Sequence, residues 1–227
     1  LDRDFSFVVA SRDQAEALVR AAPEQTSIRH HDDGTVTLTR RRGSVIPVPR
    51  ALRLSRNVLG QVPSGWDPVR LGIPPDMAQQ VDRTTLFNLV ATAEAFLAAG
   101  LEPEEIYAYL HPSRVGSTQG SAMGGLEKLR RMYHDFHDGA ERQTDCLQET
   151  LINVVAGWTV QSYLGSYGPM SFPVAACATA AVSLSDGVDK ILAGHADVVL
   201  TGGTDDSSLE YALGFGDMAA TSSTQKA

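Results

Sequence analysis

SFPVAACATAAVSLSDGVDKILAGHADVVLTGG, residues 171–203, is the stretch whose rhythm decides the fold. Residues 171–177 read as a buried-type strand that ends on Cys177. Residues 178–194 read as a helix stopped by Gly194, and 196–203 as a second apolar strand that ends in glycines. A strand, a helix and a strand within about 30 residues make a βαβ unit, so parallel pairing is expected.

The rest of the chain alternates in the same way. Residues 4–10 (DFSFVVA) and 34–39 (GTVTLT) read as strands, with a short amphipathic helix at 12–21 between them. A long helix is expected at 80–99, closed by Gly100 in the C′ position. A strand is expected near 106–115, a helix from about 125 to 134, and another over roughly 145–164. The Pro- and Gly-rich segment 61–77 reads as a structured loop. The whole points to an α/β domain with helices on both faces of a sheet.

Residues 40–56 (RRRGSVIPVPRALRLSR) hold six arginines and no acid, broken by Pro47 and Pro49. They read as an extended connector, with a solvated or subunit-contacting face; a docking surface for an acidic partner is the sharper alternative. The domain organisation follows: 1–52 as a linker or small structural module, 53–227 as the main domain.

Composition narrows the function classes. The 227 residues are 43% hydrophobic and 20% charged, which suits a folded core. The formal net charge of −8 disfavours non-specific nucleic-acid binding. No apolar run is long enough to span a bilayer, and the first residues carry no signal peptide. Only two cysteines are present, Cys146 and Cys177, without metal-ligand spacing. A reducing compartment, the cytoplasm, is therefore expected. The chain begins with Leu1, as a piece of something longer would.

Cys177 carries the candidate chemistry. At a strand-to-helix junction a cysteine faces the helix N-terminus, whose positive end and unpaired N–H groups favour the thiolate. The same N–H groups can stabilise the oxyanion formed when a thiolate attacks a thioester. The small neighbours Ala175, Ala176, Ala178 and Ala180 leave room for a substrate carbonyl. On local physics alone, a buried inert cysteine stays open beside this reading.

Other candidates read as structural. Cys146 is a packing cysteine near a helix start. His134 and His137, in YHDFHDG, form a solvated helix end rather than a metal pair. His30 and His31 lie in a polar turn, His195 in a tight connection, and His111 before Pro112. Asp205 and Asp206 cap backbone N–H groups or meet a buried arginine, although strand ends are where α/β proteins place sites. GSAMGG (120–125) lacks the pattern of a phosphate loop and reads as close backbone packing.

The run PVAACATAAVSLSDGVDKILAGHADVVLTGGTDD (173–206) resembles the nucleophile region of ketosynthase domains in type I fatty acid synthases. These are the large multifunctional enzymes of fungi and of mycobacteria and their relatives. STQGSAMGGLEKLRRMY (117–133), TDCLQETLINVVAGWTVQSYLGSYGPM (144–170) and GFGDMAATS (214–222) fit the same family in the same order. The resemblance covers residues 50–227, and the bacterial, actinobacterial version is the nearer likeness.

The resemblance implies a thiolase-like fold, layered αβαβα, of which this chain supplies the first half. It implies that Cys177 accepts an acyl chain from an acyl carrier protein (ACP). Malonyl-ACP then loses carbon dioxide and condenses with the acyl group to give 3-ketoacyl-ACP. The substrates are phosphopantetheine-bound acyl and malonyl groups; no cofactor site is expected in this segment. NADPH and FMN belong elsewhere in such synthases. The implied partners are the ACP domain, the other synthase domains and a ketosynthase homodimer within a larger homo-oligomer, with 171–176 at the subunit contact. The family's two catalytic histidines and lysine lie in its second half. No histidine here matches them, so the chain alone is expected to be inactive in condensation. A non-catalytic scaffold or dimer partner and a polyketide ketosynthase are the competing readings.

Overall fold

The computed structural model describes residues 1–45, 54, 56–60, 62, 65–138 and 146–223. Most of the arginine-rich connector, parts of the 61–77 loop, and residues 139–145 lie outside the described residues. The chain divides into two compact units, Leu1–Arg53 and Leu54–Ala227.

The first unit is a three-stranded antiparallel sheet with one helix. β1 (Phe5–Val9), α1 (Arg12–Ala21), β2 (Thr26–His30) and β3 (Val36–Arg40) follow in order, and β3 lies between the other two strands. Leu38 of β3 stands opposite Phe7 of β1 and Ile28 of β2. Val36, Leu38 and Arg40 alternate along β3 and are buried, as is Ala15 of α1. The Arg40 guanidinium donates to the carbonyl of Leu18 at 3.2 Å, which satisfies a buried cation at the C-terminal end of α1. The sequence does not announce β2. Thr26–His30 holds one apolar residue, Ile28, and His30 belongs to the strand rather than to the turn expected there.

The second unit is helical around a parallel sheet. It contains α2 (Pro75–Gln80), α3 (Arg83–Ala99), α4 (Pro103–Ile106), β4 (Val115–Gly120), α5 (Leu126–Asp138), α6 (Cys146–Glu149), α7 (Val154–Thr159), β5 (Met170–Ser171), α8 (Thr179–Leu192), β6 (Val198–Gly203) and α9 (Leu209–Asp217). The sheet order is β5–β4–β6, with both pairings parallel. The expected βαβ unit is therefore present as β5–α8–β6, but β4 sits between its two strands.

Every residue of β4 is buried, and successive residues face opposite layers. Thr118 Oγ1 donates to the Ser183 carbonyl of α8 at 2.8 Å, while the adjacent Gln119 Nε2 reaches Thr92 Oγ1 of α3 at 3.4 Å. Helices thus cover both faces of the sheet, as the alternation of elements requires. On the α3 side, the buried Asn88 amide donates to Thr159 Oγ1 at 2.7 Å, and its oxygen accepts from Thr204 Oγ1 at 2.8 Å. One side chain thereby ties α3 to α7 and to the segment after β6. The expected long helix starts at Arg83 with Asp82 as its cap and ends at Gly100, whose φ of 65° needs no Cβ.

Three expectations need correction. No strand forms over 106–114. Pro103 and the reciprocal cap between Glu102 and Glu105 start α4 instead, and β4 begins at Val115. The helix over 145–164 is broken: α6 stops at Glu149, α7 starts at Val154, and a π-helical turn covers Val160–Leu164. The strand over 171–177 is only β5, and it is not buried. Pro173 lacks the N–H a ladder needs, and Phe172 and Val174 are 38% and 57% exposed.

The face of α8 away from the sheet leaves Val182, Leu184, Val188, Ile191 and Leu192 exposed. On the other face, a Cβ at Gly187 would lie 2.5 Å from Thr201 Cγ2, whereas Gly157 of α7 has nothing within 4 Å. Gly187→Ala is therefore expected to destabilise the protein by about 1–2 kcal/mol, overpacking outweighing the gain in helix propensity. Gly157→Ala should be neutral or stabilising by up to about 1 kcal/mol. Urea unfolding midpoints of the two variants check the contrast.

Candidate active site

Cys177 is held by a turn that is itself held by the sheet. After β5 the chain runs through Pro173 to a 3₁₀ turn, Ala176–Ala178, and only then into α8. Ala176 adopts φ 48°, a left-handed conformation that alanine rarely takes. Thr179 Oγ1 stabilises it, accepting from the Ala175 N–H at 3.0 Å and donating to the Ala176 carbonyl at 2.8 Å. The ends of β4 and β6 lie directly beneath. A Cβ on Gly120 would come 2.6 Å from Thr179 Cγ2, and one on Gly203 would come 2.8 Å from Ala180 N. The strained turn is thus fixed from below, as backbone strain that persists has to be.

The result is an exposed thiol at the N-terminus of a 14-residue helix. No side chain caps that helix at Ala178; the Ala178 and Thr179 N–H groups donate to the carbonyls of Ala175 and Ala176 within the turn, so the site's free donors have to come from the residues before them, at Cys177 itself. The expected helix-terminus geometry is present. The alternative of a buried, inert residue does not apply to Cys177, which is exposed. It does describe Cys146, which is buried with its thiol against the Lys128 carbonyl at 3.2 Å.

Cys177 opens into a cleft of about 450 Å³. Met123, Val174 and Phe215 supply apolar wall; Asp205, Asp206 and Tyr211 supply polar groups. Asp205 accepts from Ser121 Oγ at 2.8 Å, from the Ala122 N–H at 3.0 Å and from Tyr211 OH at 2.9 Å. Asp206 is buried, 3.6 Å from Arg83 Nε. Burial pushes its carboxyl upward from the ordinary carboxylate range, and Arg83 pulls it back. Tyr211 stacks on Phe215 at 5.7 Å. Burial first, and the bond to Asp205 second, push its phenol well above the ordinary range.

The remaining candidates lie elsewhere. His134 and His137 sit on α5 in a shallow groove shared with Glu210. His111 Nδ1 accepts from the Ser113 N–H and contacts Ser113 Oγ at 2.9 Å. His195 follows Gly194, and its N–H donates to the Lys190 carbonyl at 2.9 Å. Among the described residues, no histidine lines the Cys177 cleft, and no group of three or more His, Cys, Asp or Glu is placed to hold a metal. No helix among them is long and apolar enough to cross a membrane. Sequence reasoning missed Tyr211. It falls in α9, whose only early signal was the glycine-rich GFGDM that follows it.

Comparison with known proteins bears on this arrangement. The model of the family described as "Beta-ketoacyl synthase, N-terminal domain" matches residues 25–227. The alpha subunit of fatty acid synthase from Schizosaccharomyces pombe is 42% identical over 228 residues, covering all of this chain and 12% of that protein. The alpha subunit from Candida albicans is 46% identical over 194 residues, covering 85% of this chain and 10% of that protein. The chain thus spans about one-tenth of the length of these relatives. The crystal structure of the ketosynthase FabY from P. aeruginosa superposes with a TM-score of 0.69 at 23% identity, over 95% of this chain and 33% of that one. At that identity the likeness shows the fold, the thiolase-like ketosynthase fold.

The contrast between the cysteines is directly measurable. Iodoacetamide at neutral pH should label Cys177 at least about tenfold faster than Cys146, one thiol being exposed at a helix N-terminus and the other buried. Peptide mass mapping of the folded protein would show equal or reversed labelling if this placement of the thiols were wrong.

Proposed function

Since the chain belongs to the beta-ketoacyl synthase family, through its N-terminal domain, we propose that it is the part of a type I fatty acid synthase ketosynthase that accepts the acyl chain, on Cys177. The observation that carries the proposal is the exposed thiol on a left-handed turn at the start of α8, opening into a largely apolar cleft. A nucleophile so placed meets an acyl thioester with helix N–H groups beside it and apolar wall for the chain.

The chemistry runs in two steps. The Cys177 thiolate attacks the thioester carbonyl of the acyl group on ACP, a new carbon–sulfur bond forms, and the phosphopantetheine thiol leaves. The malonyl group on a second ACP then loses carbon dioxide, and its enolate carbon attacks the acyl-Cys177 carbonyl. The Cys177 thiolate departs and 3-ketoacyl-ACP is released. The Cys177 N–H serves as one donor to the oxyanion.

Residues 53–227 supply the N-terminal half of the domain and 1–52 a linker or small structural module before it. The division of the chain at Arg53/Leu54 supports this, while the family match reaches back to residue 25, inside the first unit. The exposed apolar face of α8 and the exposed Phe172 and Val174 support burial against the remainder of the ketosynthase and a second copy of it. The two fungal relatives support the type I assignment and lend no support to the bacterial, actinobacterial form expected from the motifs. NADPH and FMN act in other parts of such a synthase, and its place is the cytoplasm.

The test is acyl transfer in the full-length protein that carries this chain. Radiolabelled acyl-ACP should leave label on the peptide containing Cys177. Cys177→Ala should abolish both the label and 3-ketoacyl formation, a loss of at least about 10³-fold for removal of a covalent nucleophile. Label that persists in Cys177→Ala would place the acyl acceptor elsewhere.

A further inference from the structure

One wall of the Cys177 cleft converges on a single carboxylate. Asp205 Oδ1 accepts from Ser121 Oγ at 2.8 Å, the Ala122 N–H at 3.0 Å, the Met123 N–H at 3.3 Å and Tyr211 OH at 2.9 Å. Its Oδ2 accepts from the Ala122 N–H at 3.2 Å. Ser121 Oγ in turn accepts from the Gly124 N–H at 2.9 Å, which closes the loop back on itself. The loop after β4, the segment after β6 and α9 therefore meet on one group, and each contributes a residue to the cleft.

These donors come from far apart in the chain; Ser121 and Asp205 are 84 residues distant. The loop N–H groups have no strand partner, because β4 ends at Gly120. An amide of the same shape can set its one oxygen in the place of Oδ1, but it then turns two hydrogens toward the Ala122 N–H that Oδ2 also accepts. Without this bond the Tyr211 ring keeps its stacking on Phe215.

We propose that Asp205 is a positioning residue: it holds the 121–123 loop and Tyr211 together as one wall of the Cys177 cleft, and thereby sets how readily a long acyl group reaches the thiol. The inference rests on Cys177 as acyl acceptor and adds a determinant outside the reacting atoms.

The test uses the full-length protein and two electrophiles, iodoacetamide and its N-octyl derivative, with Cys177 alkylation read by peptide mass mapping. The ratio of the long to the compact reagent's rate reports the wall. Asp205→Asn should change that ratio by about fivefold, the worth of about one hydrogen bond. Tyr211→Phe should change it in the same direction by less, and the double variant by no more than Asp205→Asn alone, since both act on one wall. A merely structural role would lower the thermal midpoint, raise Cys146 labelling and alter both reagents alike. If Asp205→Asn does not fold, Tyr211→Phe decides by the same ratio.

A ratio equal to the wild type in the folded variants, or additive effects in the double variant, overturns the inference alone. Wild-type protein that takes no acyl group onto Cys177 from acyl-ACP overturns the acyl-acceptor reading and the inference with it.

Discussion

The second unit depends on how closely α8 can lie on its parallel sheet. Gly187 rests on Thr201 and Thr118, and Gly203 rests on Ala180, at distances where a side chain would collide. Close packing of this kind is sensitive to a single carbon, because interiors have little free volume to absorb one. It has a chemical consequence. With α8 seated so low, its N-terminus arrives at the ends of β4 and β6, and the turn that feeds it has no slack. Ala176 takes up the geometry in a left-handed conformation, and Cys177 emerges into the open.

The sheet that supports this is polar within. β4 reads VGSTQG, and its Ser117, Thr118 and Gln119 are all buried. Such a strand cannot gain much from apolar burial, so the hydrogen bonds of Thr118 and Gln119 carry weight, while the buried Ser117 hydroxyl has no partner among the described residues. Thr118 is answered by α8 and Gln119 by α3. Asn88 extends the pattern by joining α3, α7 and the segment after β6. Near the N-terminus of α3, the buried Glu149 accepts from the Asp82 N–H at 3.0 Å and from Trp158 Nε1 at 2.9 Å. Polar networks of this kind fix one arrangement of layers rather than many, since a slipped register leaves buried groups unpaired.

This explains which elements were legible in the sequence. α1, α3 and α8 carry local signals: a capping Ser11 or Asp82 at the start, and Gly100 or Gly194 at the stop. β6 is apolar enough to be seen alone. The failures come where local pattern and tertiary demand part company. The apolar residues of 106–110 suggest a strand, but Pro103 and the Glu102–Glu105 cap commit the backbone to a turn of helix first. The apolar look of 171–177 suggests a buried strand, but Pro173 and the turn before α8 end the ladder at Ser171. Cys177 was legible because its signal is local, a cysteine before a helix among alanines. Asp205 was legible only as a cap of unspecified N–H groups, and Tyr211 not at all. What joins them to Ser121 is a tertiary contact that no local window contains.

The same contact bears on an apparent conflict at the site. Two carboxylates line a cleft in which negative charge has to develop when a thioester is attacked, and bare carboxylates there would oppose it. Neither is bare. Asp206 is buried beside Arg83, and burial favours its neutral form. Asp205 spends its charge on Ser121, two backbone N–H groups and Tyr211, whose dipoles point toward it. At the start of α8, by contrast, no carboxylate is in place: the Ala178 and Thr179 N–H groups donate to the backbone carbonyls of Ala175 and Ala176. The electrostatic layout is therefore directional. Acidic groups on one wall are matched by donors of their own, and the positive end of α8 lies on the Cys177 side of the cleft.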